Sequence, residues 1–132
     1  MKRLDTGDFV GAWGGIASLQ VGLSAVWTGA SARGFSIDDV VRWMCRAPAR
    51  LAGLEARKGA IAPGKDADLV VWDPDAESTV DPAALYHRHP VTPYTGLRLR
   101  GRVVTTLVRG ETVLSEGRCG AEPLGQALLT GR

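Results

Sequence analysis

Two histidines one residue apart, His87 and His89, are the pair in this 132-residue chain whose spacing most suggests chemistry. On an extended strand, residues two apart share a face, so both imidazoles could meet one metal ion. Prolines at 90 and 93 interrupt the stretch, and the chain has no third histidine to extend the set. A metal-binding reading needs such a context. The expectation is therefore a structural or surface role, and no residue is assigned as a metal ligand or as catalytic. Gly14 and Gly15 offer a different kind of site. They read either as a flexible turn before a helix or as a loop whose bare backbone can approach a flat ligand closely. Asp5 and Asp8 flank Gly7 and could pass for a carboxylate pair, but capping a turn is the simpler role. Asp66 and Asp68 belong to a turn. Cys45 has no histidine partner and reads as a small buried residue. Trp27, Trp43 and Trp72 read as core, with Trp13, beside the glycines, as the exception.

These candidates must be carried by two textures of chain that divide near Gly59. Before it, the spacing of Leu19, Leu23, Val26 and Trp27 predicts a helix from about Ser18 to Arg33, stopped by Gly34. Ser36 followed by Asp39 has the pattern of a capping box, opening a helix with Val40, Val41 and Met44 on its apolar face. Ala47-Pro48 predicts the start of a third helix, which Gly53 ends while Leu54 packs back. Beyond Lys58, Pro63-Gly64 predicts a turn, and Leu69-Val70-Val71-Trp72 a buried strand bounded by Asp73-Pro74. A second strand is expected at Ser78 to Val80, and a short turn or helix at Asp81-Pro82. Arg102 to Val108 and Thr112 to Leu114 form a hairpin around Arg109-Gly110-Glu111. The tail after Gly117 reads as loose.

Composition narrows the partners. A hydrophobic share of 45% with 23% charged residues describes a globular chain rather than a disordered one. The net charge of +2 is spread without a basic stripe, and only 6% of residues are aromatic, so neither nucleic acid nor an anionic membrane is expected as a partner. Cys45 and Cys119 form no Cys-x-x-Cys pair, which fits a reducing cytoplasm. There is no apolar run of about 18 residues for a membrane span, and the charged start lacks the apolar stretch of a signal peptide.

The stretch from Lys58 to Asp73, with Pro63-Gly64-Lys65-Asp66-Ala67-Asp68 at its centre, resembles the return segment of the amidohydrolase superfamily. Two further stretches resemble allantoinases within it. These are Gly7-Asp8-Phe9 with Ala12-Trp13-Gly14-Gly15-Ile16, and Tyr86-His87-Arg88-His89-Pro90-Val91-Thr92-Pro93-Tyr94-Thr95-Gly96. The resemblance covers about Asp5 to Glu116.

The resemblance implies an α/β parent, a TIM-barrel amidohydrolase with a composite β-sandwich, of which this chain is a C-terminal fragment. Residues 1–57 would be the last loop and helices of the barrel, 58–117 the C-terminal sandwich strands, and 118–132 a loose tail. The implied reaction is metal-assisted hydrolysis of the hydantoin ring of allantoin to allantoate. The parent's two divalent metals, zinc by resemblance, would be held by four histidines, a carboxylated lysine and an aspartate that lie outside this chain. No cofactor is expected within it. Gly14 and Gly15 are the substrate-binding candidates, presenting backbone to a small cyclic ureide. The parent is expected to be a homo-oligomer, and the isolated chain inactive. Two alternatives stand beside this reading: a hydantoinase or dihydropyrimidinase fragment, against which Gly14-Gly15 argues because those enzymes usually carry Asn-Gly there, and a non-catalytic structural or assembly module.

Overall fold

The computed structural model describes residues 5, 7, 8, 10–12 and 14–128. Phe9 and Trp13, both part of the resemblance, lie outside the described residues. Helix α1 spans Gly22–Ser31. It starts later than the apolar spacing predicts, because Ser18 to Val21 forms a turn closed by Val21 N–H on Ser18 O. Leu19 is left in solvent, while Val21, Trp27 and Ala30 are buried. The predicted stop holds: Gly34 takes φ +79°, a conformation that costs glycine little.

Helix α2, Ile37–Val41, opens on the predicted capping box. Asp39 N–H donates to Ser36 Oγ at 3.2 Å, and Ser36 N–H donates to Asp39 Oδ2 at 3.0 Å. The bond from the Ser36 backbone and, after it, the one the Ser36 hydroxyl donates to Asp39 Oδ2 at 2.8 Å hold the Asp39 carboxyl below its ordinary value. The third helix starts at Ala47 with Pro48 in its first turn, as expected, but no break separates it from what precedes. The chain runs from α2 through a wide π-helical stretch, Arg42–Arg46, directly into α3, Ala47–Leu51. Proline lacks an N–H and its ring crowds the carbonyl four residues back. Widening the preceding turn, with Ala47 N–H on Arg42 O, accommodates it. Gly53 at φ +69° ends the run, and Leu54 N–H returns to Ala49 O at 2.8 Å.

Four antiparallel strands follow in the sheet order β1-β2-β3-β4: β1 Leu69–Thr79, β2 Arg98–Val108, β3 Glu111–Ser115 and β4 Arg118–Cys119. The two strands expected on either side of Asp73-Pro74 are one. Its register against β2 shifts between Asp73 and Glu77, and such a bulge is where a strand tolerates proline. Asp73 Oδ1 accepts from Asp75 and Ala76 N–H across that bulge. Val70 and Val71 are exposed rather than buried, since nothing among the described residues covers that part of β1. The predicted hairpin forms with Arg109 at φ +50° and Gly110 at φ +85°, the mirror-image turn that matches strand twist. The sheet reaches two residues past Gly117, where β4 pairs with β3.

Helix and sheet meet in one seam. Trp27 stands edge-on to Trp72 with ring centroids 5.6 Å apart, and its indole N–H donates to Pro74 O at 2.8 Å. Arg100 N–H donates to Thr28 Oγ1 at 2.8 Å, and the Ser24 hydroxyl donates to Gly101 O. Gly101, at φ +89°, lies where an added Cβ would come within 2.7 Å of Trp72 and 3.0 Å of Trp27. Trp27, Ala30 and Val40 form one buried cluster, with Leu23 and Trp72 against it. Val21, Val80 and Leu99 form another, with Ala25, Leu85 and Tyr94 packed around them.

Candidate functional site

The loop before α1 presents Gly14 and Gly15 at the surface. Gly15 has φ +90°, which disfavours any side chain there. Gly14 has open space where a Cβ would stand, so packing within this chain does not require glycine at that position. Asp8 caps the turn ahead of it: Oδ1 accepts from Val10 N–H at 3.1 Å and Gly11 N–H at 3.0 Å. Asp8 thus works as a turn residue, and Asp5 is exposed.

Residues 14–18 adopt neither helix nor strand, so their backbone is placed by tertiary contacts. Thr92 supplies one: it is 6% exposed, and its hydroxyl donates to Ala17 O at 2.8 Å. A second joins Tyr86 N–H to Gln20 Oε1 at 2.8 Å. The Tyr86–Gly96 segment is itself folded on Thr92, whose carbonyl accepts from the Thr95 hydroxyl at 2.9 Å. Tyr86 Oη reaches Gly117 O at 3.1 Å, carrying the connection to the β3–β4 turn. The second of the stretches resembling allantoinases is therefore bonded to Ala17 and Gln20, just beyond the end of the first at Ile16. Neither Thr92 nor Gln20 stood out as a functional residue in the sequence; a polar residue inside a Pro-rich segment is a weak signal.

His87 and His89 are not aimed at a common point by any shared partner. His87 Nε2 lies 2.9 Å from Pro82 O, while the His89 side chain is exposed. Among the described residues no group of three or more His, Cys, Asp or Glu side chains could hold a metal ion. The strongest ionic cluster is elsewhere. Lys58 Nζ lies 2.8 Å from Asp66 Oδ2 and also pairs with Asp68, while Arg57 meets Asp66 at 3.0 Å. Hydrogen bonding from Lys58 lowers both carboxyls, with Arg109 N–H adding to the effect on Asp68. Bonds to Asp66 and then Asp68 raise the Lys58 ammonium. Asp68 Oδ1 accepts that Arg109 N–H at 2.8 Å, so the cluster ties the Pro63-Gly64 turn to the hairpin. Asp66 and Asp68, read in the sequence as turn residues, both belong to this cluster.

An open groove of about 1200 Å³ runs beside the π-helical stretch, lined by Trp43, Arg46, Arg50, Leu51, Lys58 and Lys65 among others. Cys45 is exposed on this arm rather than buried. Its helix turns only Val40 and Ala49 fully inward. Trp43 is likewise surface-exposed and meets Phe35 edge-on at 5.0 Å.

Comparison with known proteins gives a consistent picture. The Amidohydrolase family model matches residues 15–113. An allantoinase of Streptomyces avermitilis is 54% identical over 125 residues, covering 95% of this chain and 28% of its own length. The allantoinase of Arabidopsis thaliana is 43% identical, over 98% of this chain and 26% of its own. The chain thus spans about a quarter of the curated relatives it matches. Among solved structures, the L-hydantoinase (dihydropyrimidinase) of Arthrobacter aurescens superposes with a TM-score of 0.78 at 33% identity, over 84% of this chain and 25% of that one. A D-hydantoinase (dihydropyrimidinase) from Thermus sp. gives 0.79 at 30% identity, over 86% and 25% respectively.

Proposed function

This chain belongs to the amidohydrolase family, and we propose that it forms the C-terminal part of an allantoinase-like hydrolase that opens the cyclic amide of allantoin to give allantoate. The observation that carries this reading is the 54% identity to an allantoinase across 95% of the chain. In this reading residues 1–57 are the last loop and helices of a TIM-like barrel, and the segment from 58 belongs to a β-sandwich, which extends past the expected end at 117 to include β4, Arg118–Cys119, before the tail. Active sites of such barrels lie at the C-terminal ends of the strands, where the Gly14–Gly15 loop would stand.

A cyclic ureide carries amide donors and acceptors side by side on a flat ring. Backbone N–H and C=O groups at Gly14 and Gly15 can match both without a side chain in the way. Gly15 sits at φ +90°, a conformation in which a side chain is disfavoured. Two divalent metals, zinc by resemblance, would supply a water of lowered pKa. The residues present here do not fit that group: His87 Nδ1 is buried without a partner, but no group of three or more His, Cys, Asp or Glu side chains that could hold a metal ion forms among the described residues. No step is therefore assigned through His87 or His89, and the ligands would come from elsewhere in the parent. The isolated chain is accordingly expected to be inactive. No helix among the described residues is long and apolar enough to cross a membrane.

The structural likeness to hydantoinases favours one alternative, hydrolysis of hydantoins or dihydropyrimidines. A chimera decides between the two. This chain replaces the matching segment of the Streptomyces avermitilis allantoinase, and turnover of allantoin, hydantoin and dihydrouracil is compared. Allantoin as the preferred substrate supports the proposal. Preference for either of the others transfers the reading to the alternative. A folded, metal-loaded chimera that turns over none of them overturns both and leaves a non-catalytic assembly role.

A further inference from the structure

The Gly14–Gly15 loop has no regular structure of its own, so whatever it does depends on what holds it. Thr92 is the buried polar residue of the described chain, and a hydroxyl taken out of water is costly unless bonded. Its bond goes to Ala17 O, 2.8 Å away and two residues past Gly15, across a sequence separation of 75. Its oxygen also faces Tyr94 N–H at 3.4 Å. Thr92 therefore joins the loop to a segment that is itself anchored in the core, since Tyr94 packs against Val21, Val80 and Leu99. Gln20 makes the parallel contact, accepting from Tyr86 N–H. Together the two bonds fix the backbone on the α1 side of the glycines from both the inner and the outer end.

We propose that Thr92 is a positioning residue for substrate binding: its hydroxyl, through Ala17 O, sets where the Gly14–Gly15 backbone stands relative to the ring of the substrate. The inference rests on the assignment of those glycines to substrate binding. Removing the hydroxyl leaves the Ala17 carbonyl without its partner and releases the loop, while the groups that carry out the chemistry stay in place. The loss is thus felt in KM more than in kcat. Small displacements of positioning groups are costly because alignment is what they supply.

The test uses the active chimera with Thr92→Val, Thr92→Ser and, as a control for lost stability alone, Thr28→Val. Thr28 also holds a long-range backbone bond, from Arg100 N–H, but on the α1–β2 seam away from the loop. Thr92→Val is expected to raise KM for allantoin about tenfold with kcat within about twofold, and to speed amide exchange at residues 15–18. Thr92→Ser restores both readouts, because it keeps the hydroxyl. Thr28→Val lowers the melting temperature without moving KM. Thr92→Val kinetics within about twofold of the parent chimera in both parameters, or an equal KM rise in Thr28→Val, overturns the proposal. Should Gly14→Val leave KM unchanged while Thr92→Val raises it, the glycine contact on which the proposal rests is absent and the proposal is overturned, while the functional reading stands. An inactive unmutated chimera instead strikes at the functional reading itself.

Discussion

Trp27 and Trp43 lie on neighbouring helical segments and both meet another aromatic ring edge-on, yet their surroundings differ. Trp27 is 8% exposed and its N–H is satisfied by Pro74 O. Trp43 is 38% exposed, and Leu51, which lines the same groove, stands 92% exposed. In the seam between α1 and the sheet, Trp27, Ala30, Val21, Val80 and Leu99 are buried by partners within this chain. Along the arm from Ile37 to Ile61, large apolar side chains are exposed, and two of them, Trp43 and Leu51, line an open groove. Scattered exposed apolar residues are ordinary, but a run of them along one arm marks a contact surface. The contrast teaches where this chain completes its own packing and where, on the functional reading, the rest of the parent would complete it.

The largest expected effect tests that contrast directly. In the chimera, Trp27→Ala should destabilise by about 3–5 kcal/mol, the range for a buried aromatic. Trp43→Ala should cost about 1 kcal/mol if the arm stays as open as it is here. Urea denaturation measures both. A Trp43→Ala loss equal to that of Trp27→Ala breaks the comparison in an informative way, because it shows the parent burying the arm. Next comes Gly101→Ala, expected to cost about 2–3 kcal/mol because the new methyl meets both indoles at a positive φ. A near-neutral result means the Trp27–Trp72 pair can part without penalty. Smaller again is Ser36→Ala, which removes the cap of the arm and should lower the urea midpoint by the equivalent of about 1 kcal/mol.

These effects also separate what was readable in the residues from what was not. The Ser36–Asp39 box, the Pro63-Gly64 turn and the Arg109-Gly110 hairpin are local, and each depends on residues at most three positions apart. The continuity of β1 through Pro74 was hidden, because proline ordinarily ends a strand and the bulge that admits it depends on the register with β2. The wide turn ahead of Pro48 was hidden for a similar reason. Cys45 and Val71 were read as buried on type alone, and their exposure depends on partners that type does not specify. At the candidate site the glycines were visible as residue types. Their anchoring was not, since Gln20 meets Tyr86 across a sequence separation of 66 and Thr92 meets Ala17 across 75. The family resemblance marked both stretches, but the bonds that join the second to the residues just after the first are a tertiary fact.

The smallest expected effect concerns the junction between the two regions, where Lys58, Asp66 and Asp68 join the end of the arm to the hairpin. Both carboxyls sit below their ordinary value of 3.8, so what they contribute is present above that value and lost as pH falls below it. Lys58 sits above its ordinary 10.5, so its contribution is present below that value and lost as pH rises past its raised value. The cluster therefore stabilises across the range between, and fails toward both extremes. Partial exposure keeps the effect modest. Lys58→Met preserves the aliphatic stem and removes the charge, so the melting-temperature difference from the parent isolates the ionic part. That difference should be greatest near pH 7, shrink at pH 3 and pH 11, and narrow again at neutral pH in about 1 M salt. A gap that persists at pH 3 would show that Lys58 acts through the packing of its stem rather than through its pairs. The junction would then resemble the seam rather than the arm.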